Sequence, residues 1–283
     1  MKIVVIGYTS MLGQRLLSSF DSKHEIVTCG RNSEAGIYLD LQTQDLTLPN
    51  NIPQDIDVII HCAASFFGNS IEDFFWNETI NSVGVVKVGM LAEKLKCKHI
   101  VHISSISTYD RSENQYFDSY GMSKKHGQEN LSYICKRLGV AFTALLPSQI
   151  YDDKGKARHH QGLLYHFVDC AREGKDIHIF GNRDALRNYL YIDDLVNVID
   201  RVVRDRITGV FPCVHPRNHT LSEIAELAFE VFGNGGSVQY LRDRPDIPDI
   251  YIPQEFELYE RMQCFPEIDL KKGLALIKDR LTI

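Results

Sequence analysis

The feature that most constrains this chain is an alternation, repeated through its first half, of short β-branched runs with longer helix-like segments. The runs Lys2–Ile6, Glu25–Cys29, Val58–Cys62, His99–Ser104 and Ala141–Leu146 read as strands. Between them lie Leu12–Phe20, Asn81–Leu95 with Val85, Val86 and Leu91 on an apolar stripe, and Ser119–Leu138. Strands joined by helical crossovers run parallel, so the expected fold class is α/β, a doubly wound parallel sheet. Past Pro147 the regularity falls. Asp152–Lys156 reads as an exposed loop, a helix follows near Gly162–Arg172, and Leu221–Phe232 is helical behind a Thr220/Ser222 start and ahead of a Gly-Asn-Gly-Gly stop. The expected division is a dinucleotide-binding domain over 1–147, rejoined by segments around 188–214, and a smaller C-terminal substrate-binding cap over 148–283.

Composition narrows the function classes. A length of 283 residues with 44% hydrophobic content supports a sizeable core. The formal charge of −6 offers no basic surplus for a nucleic-acid backbone or an anionic membrane, so neither is an expected partner. The apolar start Ile3–Ile6 is too short for a signal core or a membrane span. The seven cysteines are scattered and never form a Cys-x-x-Cys pair, which suggests a reducing, cytoplasmic setting with neither a disulfide framework nor a zinc site. Adjacent His159 and His160 diverge on any regular backbone, so no metal is expected.

The first strand runs into Gly7-Tyr8-Thr9-Ser10-Met11-Leu12-Gly13, which opens a helix. Small residues there let the backbone turn tightly and bring helix N-terminal amides to a pyrophosphate, with Ser10 standing at the middle position. The second strand ends at Arg31, where an acidic residue would hold the ribose hydroxyls of NAD. A guanidinium favours a 2′-phosphate instead, which makes NADP the first expectation and NAD the alternative. Asp40, with Leu41 beside it, is a candidate partner for the adenine end.

In Ser119-Tyr120-Gly121-Met122-Ser123-Lys124, Tyr120 and Lys124 fall at i and i+4 on one helix face. A phenol titrates near 10, and an ammonium about 4 Å away supplies roughly the 4 kcal/mol that a three-unit depression requires. Tyr120 is then a proton carrier for a carbonyl/alcohol pair. The strand before it ends in Ser104-Ser105-Ile106-Ser107-Thr108-Tyr109, a hydroxyl cluster able to hold a developing oxyanion.

With these elements in this order, the chain resembles the extended short-chain dehydrogenases/reductases, specifically the NAD-dependent epimerase/dehydratase group acting largely on nucleotide sugars, whose fold is Rossmann-type. His61-Cys62-Ala63-Ala64 is similar to the cofactor-lining His-x-Ala-Ala of that group, and Asn81-Ser82-Val83-Gly84 to its helix-opening Asn-x-x-Gly. The family's active hydroxyl lies four residues before a tyrosine, which selects Ser105 and leaves Ser107 on the substrate side. Tyr120 and Lys124 match its catalytic pair. Leu146-Pro147-Ser148-Gln149-Ile150-Tyr151 resembles the segment bordering nicotinamide, which implies Pro147 and Ile150 as cofactor contacts. Arg187, in a stretch like Arg-Asp-Tyr-Val-Tyr-Val-x-Asp, and Arg244, in one like Arg-Pro-Gly-Asp, are implied contacts of a nucleotide diphosphate. Ile106-Ser107 replaces the Asp-Glu pair of the 4,6-dehydratases, so elimination is disfavoured.

The expectation is an enzyme that reduces a keto-sugar with NADPH. The alternative is a nucleotide-sugar 4-epimerase with retained NAD. Rivals are a reductase of a non-nucleotide carbonyl and a catalytically silent cofactor sensor on the same fold. The resemblance also implies a homodimer through Asn81–Leu95 and Ser119–Leu138.

Overall fold

The structure, a computed structural model, describes residues 1–50, 52–111, 114 and 116–282. In chain order it begins β1 (Lys2–Ile6), α1 (Met11–Phe20), β2 (Glu25–Gly30), β3 (Ile37–Tyr38) and β4 (Val58–His61). Next come α2 (Ile71–Asn77), a π-helical segment Glu78–Val83, α3 (Val85–Lys94), β5 (His99–Ile103), α4 (Ser119–Leu138) and β6 (Ala141–Pro147). The later part supplies β7 (Gln149–Tyr151), α5 (Gly162–Glu173), β8 (Ile177–Phe180), β9 (Leu186–Arg187), β10 (Tyr189–Tyr191) and α6 (Ile192–Asp205). It closes with β11 (Gly209–Cys213), β12 (His219–Thr220), α7 (Leu221–Phe232), β13 (Val238–Leu241), α8 (Glu257–Met262) and α9 (Leu270–Leu281).

The chain forms two compact units, one built from Met1–Arg111, Tyr116–Leu146 and Val196–Pro212, the other mainly from Pro147–Leu195 and the chain from Cys213 onward. The first contains a seven-stranded sheet in the order β11-β6-β5-β4-β1-β2-β3. The pairs β1–β2, β1–β4, β2–β3, β4–β5 and β5–β6 are all parallel, the Rossmann-type arrangement expected from the alternation. Helices cover these strands, which is why β1 and β4 read as near-continuous apolar runs and β5 is buried along its whole length rather than alternating. Val4, Ile6, Ile59 and Ile100 pack with Val88, Leu91 and Leu131 of the helices. Strand order reverses between β1 and β4, and ligands of such sheets bind beyond the carboxyl ends of the strands at that point.

α4 has clear local causes. The Asp118 side chain accepts from the Gly121 amide at 3.0 Å, and Gly139 ends the helix with φ 69° after Lys136 and Arg137 in the last turn. The expected single helix over Asn81–Leu95 is corrected. α2 and the π segment precede α3, so Asn81 lies inside a π turn rather than at a helix start, and Gly84 marks the junction.

In the second unit, β7 pairs with β10 in parallel, β8 with β13 in parallel, and β9 with β12 antiparallel. α7 starts on a capping box, Thr220 with Glu223, and stops at Gly233 with φ 73°. Among the described residues no helix is long and apolar enough to cross a membrane.

Candidate active site

In the first unit the turn from β1 to α1 is built for close backbone approach. Gly7 has φ +83°, and a Cβ there would lie 2.6 Å from the Ala63 nitrogen. A Cβ on Gly13 would lie 2.4 Å from the Gly7 carbonyl oxygen. Only glycine fits either place. Ser10 has its own purpose at the middle position. It is the N-cap of α1, its side-chain oxygen accepting from the Gly13 amide at 3.0 Å. The remaining amides of that helix start belong to the turn carrying Thr9, Met11 and Leu12, and Cys62, Ala63 and Ala64 follow β4 next to Gly7. This cradle fits a dinucleotide pyrophosphate.

At the far end of β2, exposed Arg31 donates from Nη1 to Gln42 Oε1 at 2.5 Å. Asp40 Oδ1 accepts from the Gln42 amide at 2.9 Å, so Arg31, Asp40 and Leu41 share one loop corner. The buried Lys87 ammonium holds that loop, donating to the Asp40 carbonyl at 2.6 Å and to Thr43 Oγ1 at 2.9 Å. Sequence reasoning passed over Lys87. A lone lysine on an otherwise apolar helix face was its signal.

Ser105 ends the β5 connection, its hydroxyl oxygen accepting from the Ser107 amide at 3.0 Å. It faces Tyr120 on the first turn of α4. Burial pushes the Tyr120 phenol up to about 12; the Ser105 hydroxyl pulls it down in part, and Asp118 adds to the rise. Lys124, one turn on and buried, donates from Nζ to the Ile103 carbonyl at 2.6 Å, and burial lowers it to about 8. The expected depression of the Tyr120 phenol is therefore corrected: burial raises it, and the Lys124 ammonium is engaged by the Ile103 carbonyl. Helix α4 can come this close because a Cβ on Gly121 would lie 2.4 Å from the Ser107 carbonyl oxygen and one on Gly127 would lie 1.9 Å from that of Asn81. Asn81 donates to Ser123 Oγ at 3.0 Å and to the Ser65 carbonyl at 2.9 Å.

Beneath the site His61 and His102, in register on β4 and β5, bring their Nδ1 atoms to 2.9 Å. Burial holds His61 near 3 and His102 well below its ordinary range, so both are neutral at physiological pH.

The second unit contains the other candidates. Pro147 ends β6 and is buried, and Ile150 lies half-buried on β7. Arg187 is buried, its Nη1 donating to the Leu186 carbonyl at 2.7 Å and the Pro248 carbonyl at 2.9 Å. Arg244 is exposed on the segment whose Asp246 Oδ1 accepts from the Asn182 amide at 2.6 Å. Arg187, Arg183 and Asp246 thus clasp the turn at 181–187 to the loop at 244–249, on which Arg244 stands exposed. No group of three or more potential metal ligands occurs among the described residues.

The model of the NAD dependent epimerase/dehydratase family matches residues 3–211. The chain is 22% identical to a putative UDP-glucose 4-epimerase of Methanocaldococcus jannaschii, across 97% of this chain and 96% of that protein. A UDP-glucose 4-epimerase of Mycolicibacterium smegmatis is 24% identical over 51% of this chain and 50% of its own length. Among solved structures, a UDP-N-acetylglucosamine 4-epimerase from Methanobrevibacter ruminantium, in complex with UDP-N-acetylmuramic acid, superposes with a TM-score of 0.82 at 17% identity, covering 99% of this chain and 98% of that one. A mutant UDP-glucuronic acid 4-epimerase from Bacillus cereus, in complex with a fluorinated UDP-sugar and NAD, gives 0.81 at 20% identity, with 100% and 99% covered. At these identities the structural likeness is one of fold.

Proposed function

Because the chain belongs to the NAD dependent epimerase/dehydratase family, we propose that it interconverts hexose epimers of a nucleotide sugar with a retained NAD. The observation that carries this reading is the convergence of Ser105, Tyr120 and Lys124 beside the Gly7–Gly13 cradle. Relatives named as 4-epimerases support epimerisation over the keto-sugar reduction expected from Arg31.

When bound, the oxidised nicotinamide supplies a reversible hydride acceptor and a positive charge. The chain's own residues do the rest. Tyr120 Oη takes the proton of the reacting sugar hydroxyl and, once the keto sugar has presented its opposite face to the nicotinamide site, returns it to the same oxygen. Ser105 Oγ donates a hydrogen bond to that oxygen while it carries negative charge. Lys124 gives one N–H to the Ile103 carbonyl and would hold the ribose hydroxyls of the cofactor with its others. The Ser10-capped start of α1 would receive the pyrophosphate, Asp40 and Leu41 the adenine end, and Ala63, Ala64 and Asn81 the middle; Pro147 and Ile150 are cofactor contacts only as the family resemblance implies. The family resemblance implies Arg187 and Arg244 as contacts of the sugar's nucleotide diphosphate. Exposed Val83, Val86 and Tyr133 on the π segment, α3 and α4 support a homodimer through those helices, which light scattering tests.

A second reading, reduction of a keto-sugar with NADPH, is favoured by Arg31 at the end of β2. Nuclear magnetic resonance of UDP-hexoses incubated with the protein, with absorbance at 340 nm in parallel, separates the two. Epimer exchange at constant absorbance supports the first, and stoichiometric loss of NADPH absorbance with a 4-keto sugar the second.

A further inference from the structure

Resting on the reading of Tyr120 as proton carrier, we propose that Asn77 is a positioning residue that acts through the loop after β4 to hold Phe66 against the Tyr120 ring.

Asn77, the last residue of α2, is fully buried. Its Oδ1 accepts from Ser65 Oγ and from the Phe67 amide, each at 3.1 Å. Its Nδ2 donates to Ser119 Oγ at 3.0 Å and reaches the Phe67 carbonyl at 3.5 Å. Ser119 in turn donates from Oγ to the Gly68 carbonyl at 2.7 Å, and its amide donates to Asn69 Oδ1 at 3.3 Å. One helical turn beyond Asn77, Asn81 fixes Ser65 from the other side, accepting its amide at 2.8 Å and donating to its carbonyl.

The residues before and after Phe66 are thus tied down at backbone level by two side-chain amides, and Ser119, which completes the clamp, is the immediate neighbour of Tyr120. Phe66 lies between these anchors. Its ring meets that of Tyr120 at a centroid distance of 4.5 Å and an angle of 63°, an edge-to-face contact, although Phe66 is 56% exposed. An exposed phenylalanine is held in one place here by its neighbours' hydrogen bonds rather than by surrounding core. The ring packs edge-to-face against the phenol ring, while Ser105 faces its hydroxyl. Losing the clamp frees the loop and lets the Tyr120 ring shift from its alignment with Ser105, and small misplacements of a reacting group reduce turnover strongly.

The test uses the full chain labelled with carbon-13 on tyrosine, the Tyr120 signal being identified by its loss in Tyr120→Phe. Phe66→Leu is expected to move that signal by removing the ring current. Asn77→Ala and Ser119→Ala, with Phe66 intact, are expected to move it in the same direction. For UDP-glucose, kcat should fall about tenfold in all three while NAD affinity stays within about twofold. Ser119→Ala serves if Asn77→Ala fails to fold. A signal that moves in Phe66→Leu but not in the clamp variants overturns the proposal, as does one that moves with kcat unchanged. Wild-type protein without epimerase activity would count against the proposed function alone, because the tyrosine signals still decide whether the clamp holds Phe66.

Discussion

Lys124 Nζ donates to the carbonyl oxygen of Ile103 at 2.6 Å, joining the first turns of α4 to the end of β5 two residues before Ser105. This bond fixes the ammonium under the active hydroxyls, and burial lowers its pKa to about 8. At neutral pH it is mostly charged, and above pH 8 it is not.

Two pH effects follow from that lysine. NAD affinity should weaken as pH rises through about 8 in the wild type, whereas Lys124→Met should bind weakly at every pH. Folding stability should move the other way. An unfolded lysine keeps its proton to about 10.4, so between pH 8 and 10 the unfolded state binds more protons and stability rises with pH. Urea denaturation at pH 7.5 and 9.5 should show the wild type gaining about 2 kcal/mol over Lys124→Met. Parallel curves would contradict the burial of a titrating Lys124.

The His61–His102 pair makes the fold acid-sensitive. Both are neutral in the folded protein, with pKa values below the ordinary 6.5, so stability is fully present above that value and is lost as pH falls through it. Two such groups cost about 3 kcal/mol between pH 7.5 and 5.5. His102→Phe should remove about half of this dependence in denaturation curves, and an unchanged slope would show that the loss arises elsewhere.

Gly7→Ala should affect fold and cofactor together. Its φ of +83° and the Ala63 nitrogen 2.6 Å from an added Cβ leave no room without moving the turn. The expected result is a loss of about 1–3 kcal/mol in stability and of at least tenfold in NAD affinity by calorimetry. An alanine variant that binds NAD like the wild type would remove this turn from the cofactor site.

Much of the fold was legible because its signals are local and repeated. β1 and α4 begin and end where the sequence indicates, and α7 starts behind the expected Thr220, whose reciprocal cap with Glu223 the structure adds. The π segment was not legible, since Glu78–Val83 carries no composition that separates it from α-helix and its register is set by packing against Gly127. In the candidate site, the i,i+4 spacing of Tyr120 and Lys124 placed both on one helix face but could not reveal that the Ile103 carbonyl takes the ammonium. Asn77, Phe66 and Lys87 stayed hidden for a similar reason. Each acts through partners distant in sequence, the Asp40 carbonyl for Lys87, Ser119 for Asn77 and the Tyr120 ring for Phe66, and spacing along the chain does not encode such partners.

Arg31 provides a separate test of cofactor choice. Its guanidinium is exposed and bonded only moderately far along the chain, to Gln42, so it can turn to a phosphate without unfolding anything. Arg31→Ala should leave NAD affinity within about twofold and weaken NADP about tenfold or more. Equal loss for both cofactors would mean that Arg31 supports the loop at Asp40 rather than reading a 2′-phosphate.

The most direct test of the central claim compares wild type with Tyr120→Phe in the presence of NAD and a panel of UDP-hexoses, following epimer exchange by nuclear magnetic resonance and NAD binding by calorimetry. The account predicts exchange by the wild type, a loss of at least about a hundredfold in Tyr120→Phe, and NAD binding within a few-fold of wild type. Exchange by Tyr120→Phe at the wild-type rate would contradict it.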